Sequence, residues 1–194
     1  MGDIGYCYGS EWHLLRYLGR HRKQFDKEIL KALDRTGGVI EWLDFDFQKE
    51  KPYDRELKGL EFLDDLKNQD YQEQWAKFWP QSGNPPNWDA VGWLHGENGK
   101  ELILVEAKAH VEELKSDTQA GEVSLQRIRD AFNEVKKGLN VVQSGDWTKR
   151  YYQYANRVAV LYFLNKINIR CHLVFVYFTG DEMEGRYCPK SETE

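Results

Sequence analysis

Residues 87–110 read NWDAVGWLHGENGKELILVEAKAH, and the reading of this stretch decides the fold. From Trp88 to His95, aromatic and apolar residues alternate with smaller or polar ones, the pattern of a β-strand. Gly96-Glu97-Asn98-Gly99 has turn composition, because Gly and Asn tolerate positive φ. Leu102-Ile103-Leu104-Val105 is a short apolar run of the kind found in a buried strand. The predicted unit is a β-hairpin. Glu106 and Lys108 follow the apolar run with only Ala107 between them. Residues two apart on a strand point to one face, so a carboxylate and an ammonium share a face at the end of a core strand. Asp89, near the start of the first strand, adds a carboxylate separated from Glu106 by 16 residues.

The acid-x-Lys triplet alone carries little information. The chain holds five of them: Glu56-Lys58, Asp65-Lys67, Glu106-Lys108, Glu113-Lys115 and Glu134-Lys136. Four lie in polar or helical stretches and read as solvated faces. Only Glu106-Lys108 follows four apolar β-formers. A charged pair set against a buried strand costs desolvation unless something compensates it. The compensation is either the ion pair itself, which is a structural reading, or a divalent cation, which is a functional one.

The 194 residues are 41% hydrophobic and 30% charged, with 14% aromatic residues and seven Trp. That composition predicts one folded domain over residues 1–194, with an acidic tail, about 180–194, expected to be disordered. No apolar run reaches the roughly 18–20 residues that span a bilayer. The N-terminus, MGDIGYCYGSEW, lacks a basic region followed by an apolar stretch. Three widely spaced Cys predict a reducing compartment, so the expected location is cytoplasmic and the expectation is no membrane association. No CxxC pair and no HxxxH spacing occurs, so there is no signal for structural zinc. A net charge of -5 counts against a protein that merely coats nucleic acid, but not against an enzyme with one local basic surface.

Around the hairpin, Ser10 reads as an N-cap and residues 11–34 as an amphipathic helix, broken near Gly19. Val39 to Phe45 reads as a strand, followed by a polar link around Pro52. Leu57 to Leu66 suggests a short helix, and residues 70–79 another, stopped by Pro80. QSGNPPN is a loop that leads to Asp89. Residues 124–139 and 147–164 have helical spacing, and Cys171 to Phe178 is an apolar strand. The order predicts a mixed α/β core with helices around a central sheet.

Phosphodiester hydrolysis needs a cation to offset growing negative charge and a source of hydroxide near neutral pH. Asp89 and Glu106 offer hard oxygens suited to Mg²⁺ or Mn²⁺, the carbonyl of Ala107 is a further candidate ligand, and Lys108 can orient the attacking water. Asp89…Glu106-Ala107-Lys108 on a hairpin resembles the core of the PD-(D/E)XK nuclease superfamily. The resemblance implies the restriction-endonuclease-like fold, a central mixed sheet flanked by helices in the order helix–strand–strand–strand–helix–strand. It also implies a Mg²⁺- or Mn²⁺-dependent nuclease acting on nucleic acid, DNA before RNA. In many members a Glu of the first core helix joins the site, which makes Glu11 a catalytic candidate, and many act as homodimers. The chain departs from the motif at Trp88, which stands where Pro precedes the Asp. VEAKAH and YYQYANR also resemble an uncharacterised group of bacterial proteins of this kind.

Gln153 and Arg157 form an i,i+4 pair on the long aromatic helix. Some superfamily members carry a polar residue there, so both are candidate phosphate or substrate contacts, with Gln126 on the preceding helix. His110 is a candidate assistant, although a lone His two residues past the motif is more often a hydrogen-bonded bystander. The basic face of helix 11–34 (Arg16, Arg20, Arg22, Lys23, Lys27, Lys31) can hold phosphates. Trp75, Trp79, Trp88 and Trp93 can stack on unpaired bases, although most of seven Trp belong in a core. Two other functions fit less well: a non-enzymatic nucleic-acid- or protein-binding module of the same fold, and a two-carboxylate glycosidase. The intervening Lys and the strand context argue against the latter.

Overall fold

The computed structural model describes residues 8–43, 56–63, 70–83, 85–97, 99–142, 145–182 and 185–191. In chain order these form α1 (Ser10–Gly19), α2 (Arg22–Ala32), β1 (Val39–Trp42), β2 (Leu57–Lys58), α3 (Asp70–Phe78), β3 (Asn87–Trp88), β4 (Ala90–Gly96), β5 (Gly99–Lys108), α4 (Glu122–Gly138), α5 (Tyr152–Lys166) and β6 (Cys171–Tyr177). The predicted hairpin is β4–β5, antiparallel, with Gly96 opposite Gly99. β1 adds antiparallel to β4, and β6 adds parallel to β5. The result is a four-stranded mixed sheet in the order β1-β4-β5-β6, flanked by helices.

The run Leu102–Val105 is apolar throughout because both faces of β5 are covered. Leu102 and Leu104 join Val91 and Trp93 in a core with residues of α3, α4 and α5. Ile103, Val105 and Ala107 join Ile40, Trp42, Ala90 and Leu94 in a second core under α1 and α2. Each buried Leu or Ile side chain contributes about 1.5–3 kcal/mol. By the same alternation, Glu106 and Lys108 fall on the α5 side. Gly92 of β4 is squeezed from that sheet's edge: a Cβ there would lie 3.0 Å from Ile40 Cγ2 and 3.0 Å from Trp42 Cε3, and 3.3 Å from the Glu41 carbonyl oxygen.

Several elements depart from the sequence expectation. The expected break near Gly19 falls at Arg20–His21, between α1 and α2, but Gly9 rather than Ser10 holds the cap position of α1. Strand β1 ends at Trp42, and the rest of the expected strand, Asp44 and Phe45, lies outside the described residues, as does the link around Pro52. Leu57 and Lys58 open a strand, not a helix, and pair with Trp88 and Asn87. The Trp88 indole fixes this pairing by donating to the Gly59 carbonyl at 3.0 Å. A short 3-10 turn, Glu61–Leu63, follows. Helix α5 starts at Tyr152 rather than near Trp147, because Asp146 Oδ1 accepts from the Thr148 amide (2.9 Å) and hydroxyl (2.6 Å) and holds a turn. Arg150 then takes a positive φ of 58°. The described part of the tail packs back. Cys188 is buried, and the Val111 amide donates to the Tyr187 carbonyl at 3.0 Å. Among the described residues no helix is long and apolar enough to cross a membrane.

Gly92→Ala is expected to destabilise the fold by about 1–3 kcal/mol. Gly96→Ala, where a Cβ meets nothing within 4 Å, should be close to neutral. Equilibrium denaturation of the two variants checks this, and equal losses would contradict the packing described at Gly92.

Candidate active site

Glu106 is carried to the end of β5 and is only 2% exposed. Both of its carboxylate oxygens are engaged. Oε1 accepts from Lys108 Nζ at 2.6 Å, and Oε2 accepts from Arg157 Nε at 2.8 Å. Arg157 reaches in from α5 and is itself buried. Its Nη1 donates to Asn156 Oδ1 at 2.8 Å, and its guanidinium sits 4.9 Å from the Trp88 ring centroid, within cation–π range. One carboxylate thus faces two cations in a water-poor site, where hydrogen-bonded charges are stronger and unpaired ones costlier.

Asp89 occupies the single residue between β3 and β4. Its amide donates to the Val105 carbonyl at 3.1 Å, and its Oδ2 accepts from the Ala107 amide at 2.6 Å. These two bonds tie the loop that delivers Asp89 to the strand that bears Glu106. Burial pushes the Asp89 carboxyl up to about 6, and the nearby Glu106 charge pushes in the same direction. The Ala107 amide and Lys108 offset only part of this. Ala107 contributes through its backbone, since its methyl group is buried in the core under α1 and α2.

An open cleft of about 520 Å³ brings the candidates together: Glu11, Asp89, Lys108, Gln153 and Arg157 all line it. Glu11 arrives on the first turn of α1, and Gln153 on the first turn of α5, whose amide is anchored on Ser116 Oγ at 2.9 Å. Glu56 and Glu113 add two acids that the sequence reading missed. Glu113 follows His110 by three residues, and that His-x-x-Glu spacing on a helical turn was the available signal. The lining therefore carries four carboxylates against two cations.

Other candidates lie elsewhere. Gln126 does not reach the cleft; it sits exposed on α4 and bonds Asp130 at 3.0 Å. His110 is buried and structural. Its Nδ1 lies 3.1 Å from Glu113 Oε1 and its Nε2 3.2 Å from Asp181 Oδ2, while His13 reaches the other Asp181 oxygen at 3.2 Å. That cluster pins the tail to α1 and the end of β5. The four tryptophans proposed for base stacking are core residues, each at most 7% exposed. The basic residues of α1 and α2 lie over the sheet face opposite Glu106, interleaved with Asp26, which accepts from Trp42 at 2.8 Å.

Among the described residues no three His, Cys, Asp or Glu side chains are grouped closely enough to hold a metal ion. The donor chemistry nonetheless fits a hard divalent cation. Asp89 is a carboxylate whose charge is penalised where it stands, and an added cation would relieve that penalty. Lys108 occupies Glu106 Oε1 from a flexible stem that can swing away, while Arg157 would keep its hold on Oε2. No protein-family model matches the chain, and no curated protein or solved structure matches it either.

A raised carboxyl pKa has a definite sign in stability. Folding favours the protonated form of Asp89, so the penalty is absent below its unfolded value of 3.8 and grows as pH rises through about 6. Asp89→Asn keeps an acceptor for the Ala107 amide and is expected to raise stability at pH 7.5 by on the order of 2 kcal/mol. The gain should vanish near pH 4. Thermal melts at the two pH values check this, and an equal loss at both would contradict the burial described for Asp89.

Proposed function

We propose that this chain is a metal-dependent nuclease with a restriction-endonuclease-like fold, hydrolysing phosphodiester bonds in nucleic acid, DNA before RNA. The observation that carries the reading is the convergence of Asp89, Glu106 and Lys108 at one end of β5, with Glu11 and Gln153 facing the same cleft. With the β2–α3–β3 segment between β1 and β4 set aside as an insertion, helix, three antiparallel strands, helix and a strand parallel to the third match the element order expected of that fold.

Asp89 and Glu106 would hold a Mg²⁺ or Mn²⁺ ion, with the Ala107 carbonyl as a further ligand and Glu11 supporting the shell. When bound, such an ion offsets phosphate charge and makes water more acidic. Lys108, released from Glu106, would orient the attacking water and donate to the phosphate oxygens as negative charge builds on them. Arg157 would hold Glu106 in place, so it acts as a positioning residue. Gln153 would contact the substrate from the first turn of α5. The acid-rich lining supports a metal-dependent reading over simple polyanion binding, because four carboxylates repel phosphate until a cation is added.

One observation favours a second reading, a catalytically inactive nucleic-acid- or protein-binding module of the same fold. Both Glu106 oxygens are already neutralised by Lys108 and Arg157, and a protein that never binds metal would be stable in this state. Incubation with plasmid, linear and single-stranded DNA, and with RNA, in Mg²⁺ or Mn²⁺ separates the two. The nuclease reading predicts cleavage that falls at least about 100-fold in Lys108→Ala and in Asp89→Ala. Equal cleavage by all three proteins would mean a contaminant, and none by any would favour the binding module.

A further inference from the structure

The structure leaves three near-parallel aromatic rings beside Lys108. Tyr154 of α5 and Phe175 of β6 stack with centroids 4.7 Å apart and planes 20° apart. Phe175 and Tyr177 continue the ladder at 6.4 Å and 13°. Phe175 and Tyr177 lie opposite Glu106 and Lys108 in the parallel β5–β6 register, so the rings stand on the same sheet face as the motif. β6 is the edge strand of the sheet, and the two outer rings of the ladder are exposed, Tyr154 by 51% and Tyr177 by 55%, with Phe175 half-buried between them. Burying these rings in the core would have been the ordinary outcome for large apolar surfaces.

The ladder is continuous with the proposed site. Lys108 and Tyr177 line one apolar cavity of about 290 Å³, and Lys108 also lines the acid-rich cleft. Tyr154 precedes Arg157 by one helical turn. Burial, then the neighbouring Tyr154 hydroxyl and the Glu106 carboxylate, push the Tyr177 hydroxyl above its usual range.

We infer that Tyr154, Phe175 and Tyr177 form a stacking platform for unpaired bases, and that the preferred substrate is single-stranded or frayed nucleic acid. The inference rests on the nuclease reading for its substrate class. The exposed outer tyrosine rings, held by Phe175 between them, accept any base by its π-face, whereas a paired and stacked duplex has no free base to offer. Bases held on the ladder would bring their sugar-phosphate chain past Lys108.

The test is binding of a short fluorescein-labelled oligothymidylate, single-stranded or annealed, without divalent metal, followed by anisotropy. Cleavage of the same strands in Mn²⁺ is measured separately. Tyr154→Leu and Tyr177→Leu are each expected to weaken single-strand binding about tenfold. Tyr154→Phe and Tyr177→Phe should retain it, and duplex binding should change little in all four. The Phe variants also separate loss of stacking from loss of folding. Leu variants that bind and cleave single strands like wild type would overturn the platform even if the nuclease reading holds. Single-strand binding that depends on the rings, without cleavage in Mn²⁺, would uphold the platform while the nuclease reading fails. A wild-type protein that binds no single strand overturns the platform and leaves the rings to a protein partner.

Discussion

A single buried carboxylate, Glu106, sets the terms for this structure. It follows the buried run Leu102–Val105 near the end of β5, and it is held by Lys108 at 2.6 Å and Arg157 at 2.8 Å. Removing Glu106 would strand the buried Arg157 guanidinium, a loss of roughly 3–5 kcal/mol for a fully buried pair, whereas removing Lys108 alone leaves the Arg157 bond in place. The net worth of the arrangement is much smaller, because desolvating three charges consumes most of the attraction. Stability is therefore a poor reason for its presence. Its effect is geometric: it locks α5 to β5 and gives Lys108 a fixed resting place at the mouth of a cleft.

The two-sided burial of the sheet is what allows this. Ile103, Val105 and Ala107 are committed to α1 and α2, and Leu102 and Leu104 to α3, α4 and α5. With the register so fixed, a slip of one residue would turn Glu106 and Lys108 into the opposite core. Asp89 is bound to the same frame by its bonds to Val105 and Ala107. The cleft's acids and cations are thus placed by strands and helix ends rather than by long loops, which suits a site that must hold charges at close range.

Much of this was legible in the sequence because it followed from periodicity. The β4–β5 hairpin, the shared face of Glu106 and Lys108, and helices α2 through α4 all follow from apolar spacing and turn composition. Asp89 and Lys108 came together from the hairpin alone, whereas joining Glu11, Gln153 and Arg157 to them was reachable only through a family resemblance. What escaped was set by partners distant in the chain. Leu57 looks helical by spacing but becomes a strand because Trp88 recruits it. Arg157 reads as a surface contact but is drawn inward by a carboxylate 51 residues away. Lone spacing reads His110 as a hydrogen-bonded bystander more readily than as an assistant, but only the fold names its partners, Glu113 and Asp181 of the tail. Tyr154 and Tyr177 read as ordinary members of an apolar helix and strand, and only the edge position of β6 leaves them exposed.

The account stands or falls on whether Asp89 and Glu106 take up a divalent cation. Calorimetric titration of Mn²⁺ into the wild-type protein and into Asp89→Ala asks this without reference to any substrate. The account predicts one saturable site in the wild type, absent in the variant, with affinity falling as pH drops through about 6 and Asp89 takes up its proton. Heats that are the same in the two proteins, or no binding by the wild type, would contradict it.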